Sequence, residues 1–264
     1  MNNLINIYEG GNAIPDSTPV ARDDVKAVVK TAKSLLPPAI ARQMQANIGS
    51  AGFKIESGDI DLMVDADDVV AFFKTQETKD PVKAAKQLLQ QHFQQQGITS
   101  VVSGRNVHIG IPYQNAQGAK RLAQVDVMVI PDAAVVAPWH QHGPRGAYDD
   151  PEFKGSHVFI LLNSLAKFYN LKFDAFGAKL MNRDTNEVVA RTRKQVAKVL
   201  LGSRARERDL DSVKSIMAAL ANDPDREGKL AQAQQDAYRG SLKLPETVLP
   251  GTAAWFRQLQ DRIQ

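Results

Sequence analysis

The run GSAGFKIESGDIDLMVD, residues 49–65, constrains this chain more than any other stretch, because it sets two aspartates two residues apart within an apolar strand. Side chains two apart on a strand point the same way, so Asp59 and Asp61 share one face while Ile60, Leu62 and Val64 take the other. That pattern fits an interior strand whose apolar side is buried and whose acidic side is left open. Two carboxylates held together repel, and a divalent cation with oxygen ligands is the usual resolution. The strand is preceded by small residues. Gly49 sits where a turn lets the backbone approach a ligand closely, and Ser50 offers a hydroxyl and an amide to a phosphate oxygen.

The pattern Gly49-Ser50, eight residues, then Asp59-Ile60-Asp61-Leu62 resembles the signature of the polymerase-beta-type nucleotidyltransferase superfamily, whose triad is completed by a third aspartate on a later strand. Asp126, in QVDVMVI, fits that place. The spelling GSAGFKIESGDIDL, with EFKGSHVFILLNSLAK further on, is also similar to proteins assigned as nucleotidyltransferases in tailed bacteriophages. The motif spans about a third of the chain, from Gly49 to Asp126. An ionisable residue amid VDVMVI is costly without a strong partner, and the nearest cations in sequence are Lys120 and Arg121.

The resemblance implies a transfer of a nucleoside monophosphate from ATP or another nucleoside triphosphate to a hydroxyl acceptor, with release of pyrophosphate. Asp59, Asp61 and Asp126 would be both the catalytic residues and the metal ligands. Two magnesium ions about 3.5–4 Å apart, or manganese in their place, would serve the triphosphate and the attacking hydroxyl. Gly49 and Ser50 would hold the phosphates. Arg145 and Lys154 are the cations expected to add positive charge there, a guanidinium being well shaped for phosphate.

With 264 residues, 43% apolar and 23% charged, the chain has material for one large domain or two modest ones. It contains no cysteine, which excludes disulfides, thiolate zinc sites and cysteine nucleophiles. No apolar run approaches a membrane span, and MNNLINIYEGG lacks the basic start and apolar core of a signal peptide. The expectation is a cytoplasmic protein without a membrane partner, in the host cytoplasm or virion if a phage encodes it. The net charge of +4 is uneven: residues 1–133 hold 13 Lys and Arg against 14 Asp and Glu, residues 134–264 hold 20 against 15. The densest basic cluster is Arg191, Arg193, Lys194, Lys198, Arg204, Arg206 and Arg208, a candidate phosphate-tracking surface or simply a solvated helix face.

In chain order, an irregular arm leads into a helix from Asp23-Asp24 through DDVKAVVKTAKSLL, stopped by Pro37-Pro38. A second short helix is expected through AIARQMQAN. After the acidic strand, Asp65, Asp67 and Asp68 suit a helix first turn. PVKAAKQLLQQHFQQQG reads as an amphipathic helix with His92 on its surface, and ITSVV with NVHIGIPY as a hairpin. Residues 134–155, dense in Pro, Gly and aromatics, read as a connection or lid. The pair His140 and His142 has no third ligand at zinc spacing, and packing beside Arg145 and Tyr148 is the simpler role. Helices then dominate, interrupted by a small hairpin in GAKLMNRDTNEVVAR.

The predicted architecture is therefore α+β: a small mixed nucleotidyltransferase-type sheet flanked by helices in residues 1–133, the connection or lid in 134–155, and a mainly helical C-terminal domain in 156–264. Two readings of another class stand beside the enzyme. One is a non-catalytic phage structural or assembly protein that retains the fold and contacts virion proteins. The other is a nucleic-acid-binding protein acting through its basic second half. The acceptor, RNA end, protein or small molecule, has no local motif.

Overall fold

Alternation of apolar and polar residues along three strands builds the central sheet. In the computed structural model, which describes residues 13–73, 78–140 and 155–239, the chain divides into two units, Met1–Gln141 and His142–Gln264. The first carries a five-stranded mixed sheet flanked by helices, and the second is mainly helical around a three-stranded antiparallel sheet.

In the first unit, a short strand β1 (Val20–Ala21) enters α1 (Val25–Leu35) through one 3-10 turn, and α1 buries Val25, Val28 and Ala32. Asp24 does not cap this helix by its side chain; it is buried and accepts from the Ala116 N–H at 3.1 Å. The second helix is shorter than expected. α2 (Pro38–Gln43) ends where Met44 turns extended, and Gln45–Ile48 become strand β2. Its backbone pairs antiparallel with that of β4 (Ile60–Asp65), and pairing of a sheet edge outweighs the local helical preference of AIARQMQAN. Between them β3 (Glu56–Ser57) pairs with β1 in a separate ribbon.

Asp65 closes β4 and caps α3 (Ala66–Phe72), accepting from the Asp67 N–H at 2.9 Å and the Asp68 N–H at 3.4 Å, as the acidic first turn requires. α4 (Pro81–Gln95) is capped by Asp80 on the Lys83 N–H and buries Ala85, Leu89 and Phe93. His92 is not a free surface residue: it is half-buried, its Nε2 lies 2.9 Å from the Leu35 carbonyl, and its ring meets Phe73 edge-on. The hairpin forms as β5 (Ser100–Ser103) and β6 (Asn106–Gln114), followed by β7 (Lys120–Ile130). The sheet order is β2-β4-β7-β6-β5, with β4 and β7 parallel and every other neighbour antiparallel.

One face of this sheet presents Ile60, Leu62 and Val64 of β4, Val107, Ile109 and Ile111 of β6, and Ala123, Val125, Val127 and Val129 of β7 to the helices, forming the core. Each such side chain, fully buried, contributes about 1.5–3 kcal/mol. The other face carries the alternate set, Asp61, His108 and Asp126 among them. The stretch read as an irregular connection begins as a helix, α5 (Ala133–His140), which packs on β2, β4 and β7 and buries Ala133, Val136, Ala137 and Trp139. Its first N–H, on Ala133, donates to Asp65 Oδ2 at 2.9 Å. The remainder of that stretch lies outside the described residues.

In the second unit, α6 (Gly155–Phe168) buries Val158, Leu161, Leu162, Leu165 and Ala166. The chain then reverses at Asn170, whose φ of 56° is one that asparagine tolerates, into β8 (Leu171–Asp174). β8 is a third strand beside the expected hairpin of β9 (Lys179–Asn182) and β10 (Val188–Ala190). Among the described residues three α-helices follow, α7 (Arg193–Leu201) behind a Thr192–Gln195 capping box, α8 (Val213–Leu220) behind Ser212, and α9 (Arg226–Arg239). Among the described residues no helix is long and apolar enough to cross a membrane.

Candidate active site

Register decides where the carboxylates meet. β4 and β7 run parallel with Ile60 opposite Val125, Asp61 opposite Asp126 and Leu62 opposite Val127. Strand neighbours lie about 4.8 Å apart, so Asp61 and Asp126 point from the same face of adjacent strands. Asp59 sits just before β4, two residues from Asp61. On the far side of β7, His108 is the register partner of Asp126. All three predicted aspartates are thus on the side of the sheet away from the apolar core, at the end where β4 begins, and Asp126 is only 5% exposed there.

The charges are unbalanced. Burial, then Asp59, then Asp126 push the Asp61 carboxyl up to about 8 from its ordinary 3.8. Burial and Asp126 raise Asp59 as well, opposed by His108, by Lys54 and by a hydrogen bond from its own backbone N–H. Lys54 reaches this position through the loop after Gly49. The Ser50 carbonyl accepts from the N–H groups of Phe53 at 3.2 Å and Lys54 at 3.4 Å, and Arg22 clamps the carbonyls of Phe53 and Lys54.

Asp126 is held by three side chains of the sheet, His108, Gln124 and Asn106, rather than by Lys120 or Arg121. His108 Nδ1 lies 2.7 Å from Oδ1, Gln124 Nε2 donates to Oδ1 at 2.9 Å, and Asn106 Nδ2 donates to Oδ2 at 3.3 Å. Gly49 has φ +69° and its N–H donates to the His140 carbonyl at 3.2 Å, so the end of α5 fixes the turn. His140 therefore takes part through its backbone. Of the other predicted residues, Arg145 and Lys154 lie outside the described residues, as do His142 and Tyr148.

Sequence reasoning missed Lys54, Asn106, His108 and Gln124. The last three had a signal: Gln124 shares the parity of Asp126 along β7, and Asn106 and His108 share one parity along β6. In the basic cluster, Arg193 is withdrawn from the surface. It pairs with Asp211, donates to the Glu207 carbonyl at 3.3 Å, and burial lowers its pKa. Arg191, Lys194, Lys198, Arg204, Arg206 and Arg208 are exposed.

Three carboxylates with too little positive charge around them form a donor set that suits a hard divalent cation. As the side chains stand, no group of three or more His, Asp or Glu among the described residues is close enough to hold one, and both oxygens of Asp126 are already hydrogen-bonded. Holding a cation there would require these side chains to move.

No protein-family model matches this chain, and no curated protein does. Among solved structures it is similar to a ternary P/T complex of polymerase beta from Leishmania infantum, with 11% identity over 74% of this chain and 78% of that one, at a TM-score of 0.48.

Proposed function

We propose that this chain is a metal-dependent nucleotidyltransferase, moving a nucleoside monophosphate from a nucleoside triphosphate to a hydroxyl acceptor. The observation that carries the reading is the parallel register of Asp61 on Asp126, with Asp59 two residues away and the Asp61 carboxyl pushed up to about 8 by burial first and then by the two neighbouring carboxylates. Such repulsion is costly in an inert protein and serves a site that takes up positive charge. Magnesium or manganese, held by Asp59 and Asp61 on the nucleotide side and Asp126 on the acceptor side, would supply charge neutralisation at the phosphates and at the attacking oxygen.

The remaining work falls to the chain. At the Gly49 turn, whose own N–H is taken by the His140 carbonyl, Ser50 offers its N–H and hydroxyl to the triphosphate, and Lys54 adds a positive charge beside Asp59. Asp126 orients the acceptor hydroxyl. The acceptor oxygen forms a bond to the α-phosphorus, the bond to the bridging oxygen breaks in line, and pyrophosphate leaves with that electron pair while the hydroxyl proton passes to a base or solvent. The first 133 residues would be the catalytic domain. Arg145 and Lys154 remain candidate phosphate contacts, and an RNA end, a protein or a small molecule remain candidate acceptors.

The test is incubation with each α-phosphate-labelled nucleoside triphosphate, magnesium and a bacterial lysate as acceptor pool. Asp126→Ala should bind nucleotide nearly as wild type yet lose several powers of ten in transfer, since positioning and metal activation each supply several kcal/mol. Asp59→Ala and Asp61→Ala should lose both. Wild-type protein that binds triphosphate and never releases pyrophosphate overturns the reading in favour of a binding or virion protein.

A further inference from the structure

We propose that Gln124 is a positioning residue that fastens Asp126 to the chain's N-terminal segment and commits its Oδ1, leaving Oδ2 as the oxygen offered to a ligand. The inference deepens the reading of Asp126 given above and rests on it for its functional meaning.

Gln124 is 2% exposed and uses both ends of its amide. Its Oε1 accepts from the backbone N–H groups of Ala13 at 2.9 Å and Ile14 at 3.1 Å, and its Nε2 donates to Asp126 Oδ1 at 2.9 Å. The orientation follows from chemistry. A backbone N–H can only donate, so the amide oxygen faces Ala13 and Ile14 and the amide nitrogen is left facing the carboxylate.

The segment that Gln124 captures is itself seated on the sheet. Ile14 is 2% exposed and lies over Gly110, the register partner of Gln124: a Cβ at Gly110 would be 3.1 Å from Ile14 Cγ2 and 3.4 Å from Leu122 Cδ1. Ser17 Oγ donates to the Ile14 carbonyl at 2.8 Å, and the Thr18 N–H donates to the Leu122 carbonyl at 2.9 Å. Residues 13–18 therefore lie along β7 on the carboxylate face.

A leucine or methionine at position 124 would pack such a segment without the cost of burying an amide. What the amide adds is a bond to each side. With His108 Nδ1 also on Oδ1, that oxygen is filled, whereas Oδ2 has one longer bond from Asn106. The link thus sets the rotation of the carboxyl group.

The experiment is a double-mutant cycle on the full chain with Ala13→Pro, which removes one donor to Gln124, and Gln124→Met, which removes the link. The first readout is the carboxyl carbon resonance of Asp126 without metal, and the second is manganese affinity by electron paramagnetic resonance. Ala13→Pro should move the Asp126 resonance in wild type and leave it unmoved in the Gln124→Met background. Gln124→Met should weaken manganese binding by about 10–100-fold, the usual effect of removing a partner of a metal ligand. An Asp126 resonance indifferent to Ala13→Pro overturns the proposal, and so do equal manganese affinities in folded wild type and Gln124→Met. If Gln124→Met does not fold, the Ala13→Pro resonance decides alone. Wild type that shows the coupling but transfers no nucleotide sinks the enzyme reading and leaves the positioning intact.

Discussion

Gly49 and Asp61 share a volume that holds only one side chain: a Cβ at position 49 would fall on Asp61 Oδ2 and within 3.1 Å of its Cγ. The same glycine has φ +69°, a region costly to any residue with a Cβ. Gly49→Ala therefore combines backbone strain with displacement of a carboxylate. Gly97→Ala is the control, because Gly97 has φ +73° and nothing within 4 Å of the added methyl. Both should lose about 1–2 kcal/mol in urea unfolding from strain alone, while Gly49→Ala loses more and also loses nucleotide binding. Equal losses, with binding retained, would show that Asp61 yields its space freely.

Asp61 also makes stability depend on pH in an unusual direction. Its carboxyl titrates near 8 when folded and near 3.8 when unfolded. Below about 4 it is neutral in both states and costs nothing. As pH rises from there to about 8 the unfolded chain has released this proton and the folded chain still holds it, so stability falls, by up to about 1.4 kcal/mol per pH unit for one proton. Above about 8 the loss is complete. Urea unfolding of metal-free wild type against Asp61→Asn between pH 5 and 8 should show wild type losing ground steadily, and magnesium should recover part of it at the upper end. Wild type gaining on the variant as pH rises would contradict the burial and crowding of this carboxyl.

How much was legible follows from what each residue's role depends on. Asp59 and Asp61 could be placed on one face from spacing alone, since strand parity is local. That Asp61 would stand opposite Asp126, with His108 beyond, depends on a parallel pairing across an intervening hairpin, and pairing leaves no mark in either strand. β2 was hidden because AIARQMQAN favours a helix and only the open edge of β4 makes four of the neighbouring residues a strand. β8 was hidden by its length and by the apolar helix before it. The Gln124 amide shares the strand parity of Asp126, but its other partners, the backbone N–H groups of Ala13 and Ile14, come from a segment far away in sequence and leave no mark beside it.

The basic cluster divides on the same grounds. Arg193 and Lys198 read alike in sequence, yet Arg193 is partly buried against Asp211 and the Glu207 carbonyl whereas Lys198 is exposed. Arg193→Ala should lower the thermal midpoint by a few degrees. Asp211 is more open than its partner, so the ion pair counts for about 1 kcal/mol or less and lost packing supplies the rest. Lys198→Ala should leave the midpoint unchanged. If a polyanion binds this surface, Lys198→Ala should instead reduce the salt dependence of binding. Identical midpoints for the two variants would mean that the Arg193 pair adds nothing to the fold.

The strongest electrostatic commitment of the second unit is Lys229, 1% exposed, with its Nζ 2.6 Å from Asp223 Oδ2, 3.0 Å from the Leu200 carbonyl, and 4.9 Å above the Tyr169 ring. Asp223 is equally enclosed, its side chain 3% exposed, and its Oδ1 accepts from the Asp225 N–H at 2.8 Å. Two charges withdrawn from water stabilise little as a pair, because desolvation offsets most of their attraction, but removing one strands the other. Lys229→Met should therefore cost about 3–5 kcal/mol in chemical unfolding. Asp223→Asn keeps the acceptor for Asp225 and removes the charge, so the double variant Lys229→Met with Asp223→Asn should be more stable than Lys229→Met alone. A non-additive cycle of that sign is the signature of a stranded carboxylate. If the two losses simply add, the destabilisation by Lys229→Met comes from the Leu200 carbonyl and the Tyr169 ring, and the buried pair is incidental to it.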